Sequence, residues 1–341
     1  MKRVLIALVI LISVATAFFG IPRRRPSAPP VSEAQASAEA NEIAKRLATL
    51  DGYPFDARYS EGAHDQAVRL ASLTCEAYLY FASLFPGVRP RLIATFLTPA
   101  DWKRGYGVPS YYPPDKRLRI ATDDNPFWQS FGRIARVASP FGAYPKLKKT
   151  YADENGILQM RRFFDLIAVH ELAHAFEHQG GAVLPTLWLK EIFANLALYT
   201  FVATKQPSEL ANLTTFPEAQ TRIAAFNLMI RLRGYTTLDD FDRHYPAGNP
   251  KAPMGDENYG WYQLRFILVA RDLFHADGAR ALERLWAFGL KEAARVQRPE
   301  EYYQEHGNLD GWSAGMKSKD LAGPLTSEVG GHLGQAIVNW H

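Results

Sequence analysis

The chain holds a single cysteine, Cys75, among its 341 residues. An intramolecular disulfide is thereby excluded, and so is a structural zinc site built on thiolates, whose usual ligand sets need at least two of them. Cys75 lies in an apolar stretch and is expected to act as a small buried hydrophobe. An excess of either charge is also missing. The formal net charge is only +4, and three of the positive residues sit together at Arg23, Arg24 and Arg25. Too little clustered Lys and Arg is left for a nucleic-acid face. The mild basicity suits solubility, or attraction to anionic lipid beside a membrane segment. There is no internal repeat, and with 47% apolar and 22% charged residues the composition excludes a disordered or fibrous chain.

What is present begins at the N-terminus. Met1-Lys2-Arg3 is a short positive lead, followed by an apolar run from Val4 to Ile12 and a weaker continuation to Ile21. Ala15-Thr16-Ala17 has the small-x-small form of a signal-peptidase site. The segment is also about the minimum length for an uncleaved span. Export is therefore expected, with the body periplasmic or otherwise extracytoplasmic. Residues 1–21 act either as a cleaved signal peptide or as a membrane anchor over 4–21. No cysteine lies near the end of the segment, which excludes a bacterial lipoprotein attachment. Residues 22–40, rich in Pro, Ala, Ser and Arg without an apolar period, read as a flexible linker.

The folded body is expected over 41–310. Between Ala63 and Phe85, Val68, Leu70, Ala71, Leu73, Ala77, Tyr78 and Phe81 recur at helical spacing, and Pro86-Gly87 ends the run. Arg91 to Leu97 and Leu118 to Thr122 are short β-branched or aromatic runs that read as strands. Helices follow at about 158–178, 186–203, 217–233, 259–274 and 277–291. The predicted class is α+β, with a small mixed sheet in the N-terminal half and a mostly helical C-terminal half. Residues 311–341, rich in Gly and Ser at their start, are expected to be a loosely structured tail.

Chemistry concentrates in Phe163-Phe164-Asp165-Leu166-Ile167-Ala168-Val169-His170-Glu171-Leu172-Ala173-His174-Ala175-Phe176. Residues four apart share one face of a helix, so His170 and His174 can aim imidazole nitrogens at one ion. Glu171 is placed to lean over a water bound to that ion. The flanking Leu166, Ile167, Val169, Leu172 and Phe176 make the helix a buried one. Two histidines and a glutamate are costly to desolvate there without a shared partner, and neutral imidazole suits Zn²⁺.

A third ligand is needed. The metzincin spacing, a glycine and then a third histidine six residues after His174, fails because Glu177 and Gly180 stand at those places. His178 lies one further turn along a straight helix, where three ligands cannot converge, and reads as a helix-end residue ahead of Gly180-Gly181. The next helix supplies Glu191, which with Lys190 interrupts an otherwise apolar run; Lys190 can snorkel outward while Glu191 points in.

His170-Glu171-Leu172-Ala173-His174 followed by Trp188-Leu189-Lys190-Glu191-Ile192-Phe193-Ala194 resembles the gluzincin zinc metallopeptidases, and within them the peptidase MA-like group related to aminopeptidase N and thermolysin. The resemblance is sharp over roughly 160–200. It implies a zincin-like fold, a Zn²⁺ cofactor held by His170, His174 and Glu191, and Glu171 as the catalytic base. Asn195 falls where some gluzincins place an aspartate that orients the first histidine, which implies a weaker supporting role. A tyrosine on a later helix would act as proton donor or oxyanion stabiliser. Asn258-Tyr259-Gly260-Trp261-Tyr262-Gln263 resembles that element, with Tyr259 favoured and Tyr262 in reserve. The Gly-Ala-Met-Glu-Asn-like run that grips a free amine in aminopeptidases is not found upstream.

The function these residues imply is hydrolysis of a peptide bond in a peptide or protein substrate, with Leu118 to Thr122 as the sheet edge along which an extended substrate pairs. Two rivals stand beside it. One is a catalytically inactive envelope scaffold or binding protein that keeps a zinc site for stability. The other is hydrolysis of a cell-wall peptide amide by the same machinery.

Overall fold

In a computed structural model the protein is described over residues 42–102, 110–111, 117–123, 143–244, 254, 256–295 and 317–340. The expected signal or anchor segment and the linker lie outside these residues. Among the described residues no helix is long and apolar enough to cross a membrane.

The fold is mixed α and β, mostly helical, with one five-stranded sheet in the order β1-β2-β3-β5-β4. The strands are β1 (Ala48–Leu50), β2 (Asp56–Tyr59), β3 (Ile93–Leu97), β4 (Ser110–Tyr111) and β5 (Arg117–Ala121). β2, β3 and β5 are parallel, while β1 and β4 run antiparallel at the two edges. In β5 the alternation is plain: Leu118 and Ile120 are buried while Arg117 and Arg119 are partly exposed. β5 is not the edge. Ser110 and Tyr111 pair with Ile120 and Arg119, so the expected docking edge at Leu118 to Thr122 is already occupied on that side. The sequence hides this because β4 is only two residues long, too short for any periodicity to register.

Helix α1 (His64–Leu84) carries the chain from β2 to β3, as a parallel pairing requires. Its buried stripe of Ala67, Leu70, Ala71, Thr74, Ala77, Tyr78 and Phe81 faces the interior. After β5 come α2 (Ala143–Tyr151), α3 (Arg161–Gly180) and α4 (Leu187–Lys205). α1 lies over β2 and β3, α3 lies over β5 and β4, and the two helices touch. Phe176 of α3 packs edge-on to Tyr78 and Phe81 of α1, with ring centroids 5.2 and 5.6 Å away. Arg161 ties the start of α3 to the end of β5 by donating to the Thr122 carbonyl.

α4 forms the next layer. Every residue from Leu187 to Val202 except Lys190 is buried, as expected for a helix apolar on all sides. Around it pack α5 (Leu210–Thr221), α7 (Leu238–His244), α8 (Asp256–Asp277) and α9 (Arg280–Arg295). The helix expected at 217–233 is two helices, α5 and α6 (Ala224–Arg233), broken where Ile223 is extended at φ −75°, ψ 107°. Pro217 lies inside α5. Cys75 is free and half-buried, and burial pushes its thiol up.

The C-terminal expectation is overturned over residues 317–340. They form α10 (Ser318–Glu328) and α11 (Gly331–Val338), and the chain then buries Trp340 against α8. The Trp340 ring lies parallel to that of Tyr262 at 5.9 Å and 5.1 Å from Phe266. Arg265 stacks between Trp340 and Trp261, and its guanidinium donates to the Trp340 carbonyl at 2.6 Å. Glycine and serine at the start of the segment point to a loose end, yet Leu321, Leu325, Val329, Leu333 and Ile337 recur every four residues and are buried. They suffice because a partner face on α8 is already built.

Candidate metal centre

α3 is long, apolar and buried, yet it buries Asp165, His170 and Glu177. Two of these find charged partners: Arg69 lies 2.8 Å from Asp165, and Lys190 lies 3.8 Å from Glu177. His170 and His174 find each other and Glu191. The turn that brings α4 back is short. Gly181 takes φ 74°, a left-handed conformation suited to glycine, just after the end of α3. A Cβ on neighbouring Gly180 would collide with the Trp286 ring. Thr186 then caps α4, its hydroxyl accepting from the Leu189 N–H.

The three candidate ligand atoms form a compact triangle. His170 Nε2 lies 3.1 Å from His174 Nε2 and 3.1 Å from Glu191 Oε2, and His174 Nε2 lies 3.7 Å from the same oxygen. Tetrahedral zinc with bonds of about 2.0–2.1 Å sets neighbouring ligand atoms about 3.3 Å apart. The observed edges bracket that value, so the donor set fits zinc in both chemistry and spacing. It is also the His/Cys/Asp/Glu group of the described residues that comes together in this way.

Burial alone would push the His174 imidazole down, but its bond to Glu191, with the charges of Glu191, Glu171 and Glu177, holds it up at about 9. Burial would likewise raise the Glu191 carboxyl; the two histidines prevail and hold it well below the usual carboxylate range. The triad is thus a concentrated acceptor site for positive charge, and a proton and a cation compete for it. Glu171 is partly exposed, and its charge reaches His174.

Asn195 sits one turn after Glu191 but does not turn to a histidine. Its side-chain N–H group donates to the Glu191 backbone carbonyl at 2.9 Å and to Gln263 Oε1 at 3.1 Å. The shorter chemistry explains the difference: an amide N–H group seeks acceptors, and the acceptors within reach belong to Glu191 and Gln263. Tyr259 and Tyr262 separate cleanly. Tyr262 is fully buried, and its hydroxyl donates to the Thr237 carbonyl at 2.7 Å, within the packing against Trp340. Tyr259 is partly exposed, and its hydroxyl oxygen accepts from Gln263 Nε2 at 3.0 Å. The same nitrogen donates to Glu191 Oε2 at 2.8 Å. Gln263 is the site residue that sequence reasoning missed. Its only signal was the i, i+4 spacing from Tyr259, which puts both side chains on one helix face. His178 lies in the last turn of α3, as a helix-end residue should.

No family model matches the chain, and no curated protein or solved structure matches it either.

Proposed function

We propose that the protein is a zinc-dependent peptide-bond hydrolase of the gluzincin kind on a zincin-like fold, acting outside the cytoplasmic membrane. The observation that carries this is the triangle of His170 Nε2, His174 Nε2 and Glu191 Oε2, with edges of 3.1, 3.1 and 3.7 Å. These three residues would hold the ion. A zinc held there would supply Lewis acidity and would make a water acidic enough to ionise near neutral pH.

The chain's own residues do the rest. Glu171, one residue after the first ligand and partly open to solvent, takes the proton from the attacking water as general base. It then returns that proton to the departing nitrogen. Tyr259 donates its O–H to the developing oxyanion, while Tyr262 is occupied in the core. His170 and Glu191 are buried, which keeps competing water from the ligand atoms. Export rests on the N-terminal Met1 to Ile21 pattern.

One observation favours a second reading, an envelope binding or scaffold protein. His170, His174 and Glu191 partner one another within hydrogen-bond reach, so the triad is a coherent buried network in its own right. Elemental analysis of the purified full chain and of Glu191→Ala separates the two. About one zinc per wild-type chain, lost in Glu191→Ala, followed by cleavage of members of a peptide library, supports the hydrolase. A folded wild type without zinc overturns it. Zinc with no cleavage of proteins or of peptide cross-links favours the scaffold.

A further inference from the structure

We propose that Gln263 is a positioning residue for the metal-ligating carboxylate: its side-chain amide locks Glu191 Oε2 and the Tyr259 hydroxyl in one fixed relation. This inference rests on the zinc reading above. Gln263 stands on α8, the helix that packs most closely along α4, with its side chain directed at the Glu191–Asn195 turn. Its two amide hydrogens are both used, one on Glu191 Oε2 at 2.8 Å and one on the Tyr259 oxygen at 3.0 Å. Its Oε1 accepts from Asn195 at 3.1 Å, and Asn195 is itself fixed by donating to the Glu191 backbone carbonyl at 2.9 Å.

The amide can point only one way. Reversed, its oxygen would face the Glu191 carboxylate, acceptor against acceptor, and its nitrogen would face the Asn195 donor. The network acts on the oxygen that matters. Glu191 Oε2 is the atom lying 3.1 Å from His170 Nε2 and 3.7 Å from His174 Nε2. A carboxylate has two oxygens and a rotating Cγ–Cδ bond, so without a second anchor either oxygen can swing towards the histidines. The Gln263 N–H bond opposes that swing at Oε2. The bond to Tyr259 has a separate consequence. Gln263 supplies its hydrogen, so the tyrosine oxygen is the acceptor there and its own O–H is not spent on the contact.

Groups that orient a metal ligand typically contribute about 10–100-fold to metal affinity. The test is zinc affinity of the full chain by chelator competition, beside hydrolysis, for wild type, Gln263→Met, Gln263→Glu and Tyr259→Phe. Melting of the metal-free proteins shows that each variant folds. Met and Glu both match the length of glutamine, so a packing role would be rescued by either. The positioning role requires both to lose zinc affinity by about 10–100-fold, Glu at least as much as Met because it sets a carboxylate against a carboxylate. Tyr259→Phe, which leaves the Gln263–Glu191 bond in place, keeps wild-type affinity and loses turnover. If wild type binds zinc and both Gln263 variants bind it as tightly, the inference is overturned while the zinc reading stands. If wild type binds no zinc, the zinc reading falls and the inference falls with it.

Discussion

Two regions meet at Glu191, and they are held by different forces. On one side, α3 and α4 bring His170, His174 and Glu191 together, polar groups whose burial is unfavourable unless they share a partner. On the other, α8 presents Tyr259 and Gln263 and is itself pinned from behind by aromatic packing of Trp340 on Tyr262, Phe266 and Trp261. In the proposed reading the first region would carry the chemistry, and the second supports it. A single helix thus carries site residues on one face and receives the C-terminal segment on another. The comparison also separates what each substitution should do: changes among the triad and Glu171 act on metal or turnover, and changes behind α8 or at the start of α4 act on stability.

The largest effect is expected at Glu171. Glu171→Gln removes the general base and leaves the ligand triad intact, so turnover should fall by about 10²–10⁴-fold while zinc content stays at the wild-type level. A variant that cleaves at the normal rate with zinc bound would break the assignment of Glu171. Next is Trp340→Ala, which deletes a buried indole from the supporting region. Denaturant unfolding should show a loss of about 3–5 kcal/mol. A loss below about 0.5 kcal/mol, the range of an ordinary surface substitution, would mean that the C-terminal helices contribute nothing to the fold.

Asp242 sharpens the comparison through pH. It lies buried at the start of α4 and accepts from the Trp188 N–H at 3.2 Å. Burial pushes its carboxyl up to about 7, with the Asp239 charge adding to the rise and the Trp188 and Leu187 N–H groups opposing it. Its folded value is above its unfolded one, so between about pH 4 and 7 the native state keeps a proton that the unfolded chain releases. Its contribution is fully present below the unfolded value and is lost as pH rises through about 7. Asp242→Asn retains the acceptor oxygen and cannot ionise. Relative to wild type it should gain stability as pH rises from 5 to 8, by at most about 1.4 kcal/mol per pH unit, measured by unfolding at each pH. Parallel stability curves would refute this. The smallest effect is expected at the α4 cap, where Thr186→Ala should cost about 1 kcal/mol of stability without changing zinc content, read by thermal unfolding and elemental analysis together.

Much of this was legible from residues alone, and the legible parts share a property. The strands Ile93–Leu97 and Arg117–Ala121, the helices α1, α3, α4, α8 and α9, and the pairing of His170 with His174 all follow from spacing within one element. What escaped was set between elements or was too short to show a period. β1, β2 and β4 have two to four residues each. The short α7, which carries Asp242, gives no clear helical stripe. Asn195 donates to the Glu191 carbonyl and to Gln263 and not to a histidine, because which acceptor an amide reaches depends on what the opposite helix offers.

The separation is physical. A helix repeats every 3.6 residues whatever surrounds it, so a histidine pair four apart converges wherever that helix forms. The polar break of Lys190 and Glu191 in the buried run Leu187–Val202 is likewise written in the apolar residues around it, whereas the pairing of Lys190 with Glu177 of α3, in place of an outward reach, is not. No such periodicity links Glu191 to Gln263, which lie 72 residues apart and meet through the packing of α4 on α8. Nor does any pattern near Trp340 announce that its ring will lie on Tyr262. Those contacts exist because the folded interior has a defined volume to fill and buried polar groups that must each find a partner, and both conditions are met only once all the elements are in place.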